Sequence, residues 1–130
     1  EESRPLLQTT DAAGLDLIPL VAPTSGPERI AAICARGRGF IYCVSVAGVT
    51  GERQEIKTDL SPVVRTIRQH TTLPLVIGFG VGDATTARSL SPLCDGVVVG
   101  SAIVRLMMEG EHERVRELIR EIRQAINRHA

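Results

Sequence analysis

Two glycine turns carry the sharpest chemical suggestion in this sequence. Gly78-Phe79-Gly80 follows the apolar run Leu75-Val76-Ile77, and Gly100-Ser101 follows Gly96-Val97-Val98-Val99. Glycine lets the main chain approach an anion closely, and the amides at a helix start present the positive end of the helix dipole. Ser101 adds a hydroxyl donor. Neither Lys nor Arg occurs from Gly78 to Thr86 or from Gly96 to Val104, so an anion here is held by amides rather than by side-chain cations. One glycine after a strand is usually no more than a tight turn. Two on successive strands, the second running into Ser and a helical stretch, favour a phosphate. A bulky residue at position 100 is expected to forbid the backbone conformation and to fill the anion's space, whereas Ser101→Ala removes one hydrogen bond.

The segment 46–59 is long for the loop between a strand and the next helix, which typically has about 2–6 residues. Its Gly48-Val49-Thr50-Gly51 core, followed by Glu52, Arg53, Glu55 and Lys57, reads as a mobile lid or as a surface insertion. Tyr42, the single tyrosine, lies in the run Phe40-Ile41-Tyr42-Cys43-Val44-Ser45 and is either a core ring or a phenol facing a ligand. Cys34, Cys43 and Cys94 show no C-x-x-C pairing; they read as small buried hydrophobes and fit a reducing cytoplasm rather than a disulfide framework. His70, His112 and His129 fall at or near helix ends as solvated or capping residues, so no metal site is expected.

These turns need strands to aim them. Four apolar runs, at 17–21, 40–45, 75–77 and 96–99, are nearly continuous rather than alternating, as parallel strands buried on both faces are. Helices are expected at 3–13, at 27–35 with Pro27 near its start, and at 61–70. A fourth runs from the N-cap Asp83 to about Leu90. Val115, Leu118, Ile119, Ile122 and Ile126 recur at three and four, marking an amphipathic terminal helix. The order is a helix, then strand and helix four times, which predicts right-handed crossovers and a parallel sheet. An eight-fold (β/α) barrel, the TIM barrel, needs about 250 residues, so these 130 residues predict its last four β/α units, one partial domain that is half a barrel. An open doubly wound sheet is the alternative, and the turns favour the barrel, where a phosphate commonly sits between the loops after the last two strands.

Composition excludes several classes. Hydrophobic residues are 43% and charged residues 23%, ordinary for a globular domain. A formal net charge of zero gives no electrostatic case for nucleic acid or an anionic membrane. Aromatics at 2% are too few for base-stacking platforms. No apolar run approaches the roughly 20 residues of a membrane span. Opening on Glu1-Glu2-Ser3 without Met, the chain reads as a fragment, a processed product or an engineered piece.

Taken together, Phe40-Ile41-Tyr42, Ser45, Gly48-Val49-Thr50-Gly51, Leu73-Pro74, Gly78-Phe79-Gly80 and the run from Asp95 to Val104 resemble the tryptophan synthase alpha subunit, as do Glu1-Glu2-Ser3 and Val21-Ala22-Pro23-Thr24. The resemblance spans essentially the whole chain and implies the family's second half, from just after the fourth strand to the C-terminus. It implies retro-aldol cleavage of indole-3-glycerol phosphate to indole and glyceraldehyde 3-phosphate, in the cytoplasm and with no cofactor of its own. Indole then passes to a beta subunit that carries pyridoxal phosphate. Gly51, Gly80, Gly100 and Ser101 are implied to surround the substrate phosphate, Tyr42 and Phe79 to line the pocket, and Thr50 to belong to the lid. The family's catalytic glutamate and aspartate lie in the other half, so no catalytic residue is expected here. Val46 stands where many members carry a bulkier or basic residue. A self-assembling, non-catalytic half-barrel is the alternative; a phosphoribosyl isomerase type of barrel is disfavoured by the Gly-Val-Thr-Gly lid.

Overall fold

The computed structural model describes residues 4–45, 59–78 and 80–127. In chain order the elements are α1 (Arg4–Ala12), β1 (Leu20–Val21), α2 (Pro27–Arg36), β2 (Ile41–Val44) and α3 (Ser61–His70). They continue with β3 (Leu75–Gly78), α4 (Ala84–Leu90), β4 (Gly96–Val98), α5 (Ser101–Met108) and α6 (His112–Asn127). Local chemistry sets several starts. Proline opens α2 and lies in the first turn of α3, where its missing N–H has no intrahelical partner to lose. The Asp83 carboxylate accepts the Thr86 amide at 2.7 Å and caps α4 as expected. The expected order lacks one element: after β4 the chain makes a short helix, α5, then turns at Gly110 (φ 76°) into the amphipathic α6.

All four strands are parallel, in the order β1-β2-β3-β4. Each crossover therefore advances the sheet in one direction. A doubly wound sheet reverses direction at a switch point and carries helices on both faces; steady advance with right-handed crossovers puts every helix on one face, as in a barrel wall. This is the parallel (β/α) class expected. Burial agrees: Val21, Ile41, Cys43, Leu75 and Ile77 are closed off against Ile30 and Cys34 of α2, Val63, Val64 and Ile67 of α3, and Leu90 of α4. Helix α6 packs on α4 and α5, burying Ile122 and Ala125.

The opposite face corrects the expectation of strands buried on both sides. Leu20 is 62% exposed, and Tyr42, Val44, Val76 and Val98 are half-buried. Their apolar character is real, but in a four-stranded piece no layer among the described residues covers them. In a closed barrel this face is the packed interior. None of the described helices is long and apolar enough to cross a membrane.

Candidate functional site

The carboxyl ends of β2, β3 and β4 finish level. Val44 pairs with Gly78, and Gly78 with Val98, so the turns after β3 and β4 leave the sheet side by side. Gly80, in the first turn, has φ 81°, a left-handed conformation that only glycine adopts cheaply. Gly100 is the N-cap of α5, and Ser101 is its first residue. The first intrahelical bond runs from the Val104 amide to the Gly100 carbonyl at 3.1 Å, and among the described residues no side chain caps this end. The earlier amides of α5 therefore face outward with the helix dipole behind them. Both Gly100 and Ser101 are exposed.

Gly100 needs a different rationale from the one the sequence suggested. Its φ is −118°, outside the left-handed region, and a Cβ built on it meets no atom of the described residues within 4 Å. Among the described residues nothing stands in the way of a Cβ at 100. If glycine is required there, the requirement comes from something that approaches the turn.

Tyr42 projects onto the open face of the sheet. A Cβ on Gly78 would overlap the Tyr42 hydroxyl and ring carbon and stand 3.0 Å from the Val98 Cβ. Glycine at 78 thus lets the phenol lie across the end of β3, beside the two turns. Thr50, Gly51 and Phe79, together with the whole segment 46–58, lie outside the described residues, so the lid and half of the pocket lining expected from sequence are not placed.

Two features escaped the residue-by-residue reading, although Ser45 is among the residues that carry the family resemblance. Ser45 is fully buried, and its amide and its hydroxyl both donate to the Gly78 carbonyl, each at 2.9 Å. A lone Ser closing an apolar run gives no such signal. Arg105 lines the same shallow groove along α5 as Gly100, Ser101, Val104 and Met108. Its position four residues after Ser101, on the same helical face, was the signal available.

Several polar groups elsewhere are committed to structure. Asp95 precedes β4, at the opposite, amino end of the strands. There its carboxylate accepts the Leu75 amide at 2.7 Å and pairs with Arg68 at 2.6 Å. The Leu75 hydrogen bond, then the Arg68 guanidinium, holds this carboxyl below its ordinary range. Asp83 is occupied as a cap. Burial pushes the Cys43 thiol up to about 11 and raises Cys34 and Cys94 as well, so these thiols stay protonated at neutral pH and are poor nucleophiles. Among the described residues no group of three His, Cys, Asp or Glu side chains could hold a metal ion.

Similarity to known proteins agrees with this geometry. The family model described as tryptophan synthase alpha chain matches residues 1–129. Tryptophan synthase alpha chains from Synechococcus elongatus and from Thermoanaerobacter sp. are 48% and 42% identical over 129 and 127 residues. Each match covers 98% of this chain and 48% or 47% of the relative. Among solved structures, tryptophan synthase of Mycobacterium tuberculosis superposes with a TM-score of 0.79 at 36% identity, over 96% of this chain and 47% of that one. The alpha subunit from Campylobacter jejuni gives 0.79 at 31%, over 93% of this chain and 49% of that one. The chain spans about half the length of the curated relatives it matches. It belongs to the tryptophan synthase alpha chain family.

Proposed function

We propose that this chain is the C-terminal, phosphate-binding half, one partial domain over residues 1–130, of an alpha subunit that cleaves indole-3-glycerol phosphate to indole and glyceraldehyde 3-phosphate. The observation that carries the reading is the pairing of two turns at level strand ends: Gly80 at φ 81° beside the uncapped start of α5 at Gly100-Ser101. Amides of these turns bind the phosphate, with Gly51 closing over it and Thr50 in the lid; Tyr42 and Phe79 line the space for the indole end. Pyridoxal phosphate belongs to the beta partner that takes the indole.

Breaking the carbon–carbon bond needs an acid to protonate the indole carbon and a base to take the proton of the adjacent hydroxyl. The described carboxylates near the strands do not offer such a pair. Asp83 caps a helix, and Asp95 is bound at the wrong end of the sheet. In this reading the catalytic carboxylates come from the other half of the barrel, as the family resemblance implies, and this half binds and orients.

The test is titration of glycerol phosphate into the assembled barrel with substitutions at 100 and 101. Because a Cβ at 100 meets no atom of the described residues, Gly100→Val is expected to fold and to lose the anion. Ser101→Ala is expected to cost about 0.5–1.5 kcal/mol, up to about 3 where the acceptor is charged. A Gly100→Val protein that binds as tightly as the parent shows that these turns are only turns.

A further inference from the structure

We propose that Ser45 is a positioning residue for this anion site; the inference rests on the phosphate reading above. Its fully buried side chain sits where the chain leaves β2. The Ser45 amide and hydroxyl converge on one acceptor, the Gly78 carbonyl, at 2.9 Å each. A carbonyl oxygen has two lone pairs and can take both. The amide bond continues the β2–β3 ladder and would exist with any residue at 45. The hydroxyl bond exists only because the residue is Ser.

Gly78 needs this second hold. It is the last residue of β3, and it carries no side chain because Tyr42 occupies the space a Cβ would take. Packing therefore cannot fix a residue whose backbone has the widest freedom of any. Two donors on its carbonyl fix the plane of the peptide unit that leads into the turn, since that unit is rigid. Two residues later Gly80 must stand at φ 81° beside the start of α5. Anion binding by amides depends on their direction, so an error in that plane is carried directly into the site. Packing alone would favour an apolar residue at 45, because a hydroxyl is costly to bury unless it is bonded. One side chain thus sets the exits of β2 and β3 together.

The experiment follows the amide resonances of Gly80 and Gly100 while inorganic phosphate is added to the full protein carrying this chain, as parent, Ser45→Ala and Ser45→Thr. A loss of about tenfold in affinity is expected for Ser45→Ala, the equivalent of one such hydrogen bond. The hydroxyl of Ser45→Thr should restore most of it. Faster hydrogen exchange at the Gly80 amide is expected in Ser45→Ala even without phosphate. Where Ser45→Ala does not fold, Ser45→Cys, similar in size with a weaker donor, should show an intermediate loss. Parent resonances that ignore phosphate overturn the anion reading and this proposal with it. A parent that binds no better than Ser45→Ala overturns the proposal alone. So does a Ser45→Thr protein as weak as Ser45→Ala, since the hydroxyl then does not matter.

Discussion

At position 78 the absence of a side chain is a packing requirement, because the Tyr42 phenol lies where a Cβ would stand. Gly78→Ala should therefore destabilise the protein by about 1–3 kcal/mol, the usual cost of overpacking. Shortening the intruder should repair it: Gly78→Ala combined with Tyr42→Leu is expected to recover more than half of the loss. Urea midpoints of the four proteins in the cycle measure the coupling, and strict additivity would show that the two residues do not interfere. Cys43 offers a second test. Burial raises its thiol from 9.0 to about 11, so the folded state retains a proton that the unfolded chain gives up over this interval. The associated stability is complete below about pH 9 and is lost as pH rises toward 11. Stability measured across this interval should fall more steeply in the parent than in Cys43→Ala. At this scale the sequence was partly readable. Glycines after apolar runs mark themselves, as Gly80 does, but the cause of a glycine does not: Gly100 was expected to be needed by the backbone, and its φ of −118° removes that reason. Ser45 stood out only as one of the residues that carry the family resemblance; its structural role left no trace, because that role depends on a carbonyl 33 positions away.

Among the elements, those with chemical punctuation came out where sequence placed them. Pro27, Pro62 and Asp83 fix helix starts through missing or satisfied amides, and α3 spans the expected residues 61–70. Elements governed by tertiary context came out less well. Strand β1 forms over two residues where five apolar ones were expected, because a strand extends only as far as its neighbour pairs with it. The split between α5 and α6 turns on Gly110, which reads equally well as an interruption of one helix. Asp95 ties elements together: it joins the end of α3 to the starts of β3 and β4 through Arg68 and the Leu75 amide. Its lowered pKa means that its contribution is present above the ordinary value of 3.8 and is lost as pH falls below it. The side chain is 51% exposed, so the ion pair itself adds little and the amide bond carries most of the effect. In acid unfolding below about pH 4 the parent should lose stability faster than Asp95→Asn. Parallel acid limbs for the two proteins would place the acid sensitivity elsewhere.

For the whole molecule, the sequence indicated four units and their order, but not how the inner face would be covered. Continuous apolar runs say that both faces of a strand are to be buried; they do not say that the second layer lies within these residues. Here helices cover one face, while Leu20, Val44, Val76 and Val98 look out from the other, and β1 and β4 each pair on one side only among the described residues. Open edges beside an apolar face are sites of association. The 130-residue chain on its own should therefore sediment at low micromolar concentration as dimers or larger species, and a compact monodisperse monomer would refute this.

The open face bears on activity as well. The described residues supply turns suited to a phosphate, yet their carboxylates near the sheet are engaged in a cap and in a clip at the far end of the strands. Cleavage of a carbon–carbon bond without an acid and a base loses both proton transfers, each worth typically about 100- to 10,000-fold. The lone chain should accordingly show no measurable turnover of indole-3-glycerol phosphate, while glycerol phosphate still perturbs Gly80 and Gly100. Mixing in the first four β/α units of a tryptophan synthase alpha chain should cover the open face, satisfy the edges of β1 and β4, and restore part of the turnover. Restoration should fail when Leu20, at 62% exposure the most open residue of the uncovered face, is replaced by Glu, because a charge there opposes closure of the barrel. Indole release followed by absorbance reports on the lone chain and on both mixtures. Turnover by the lone chain would mean that the acid and base lie within these residues after all, and the division into a binding half and a catalytic half would fall.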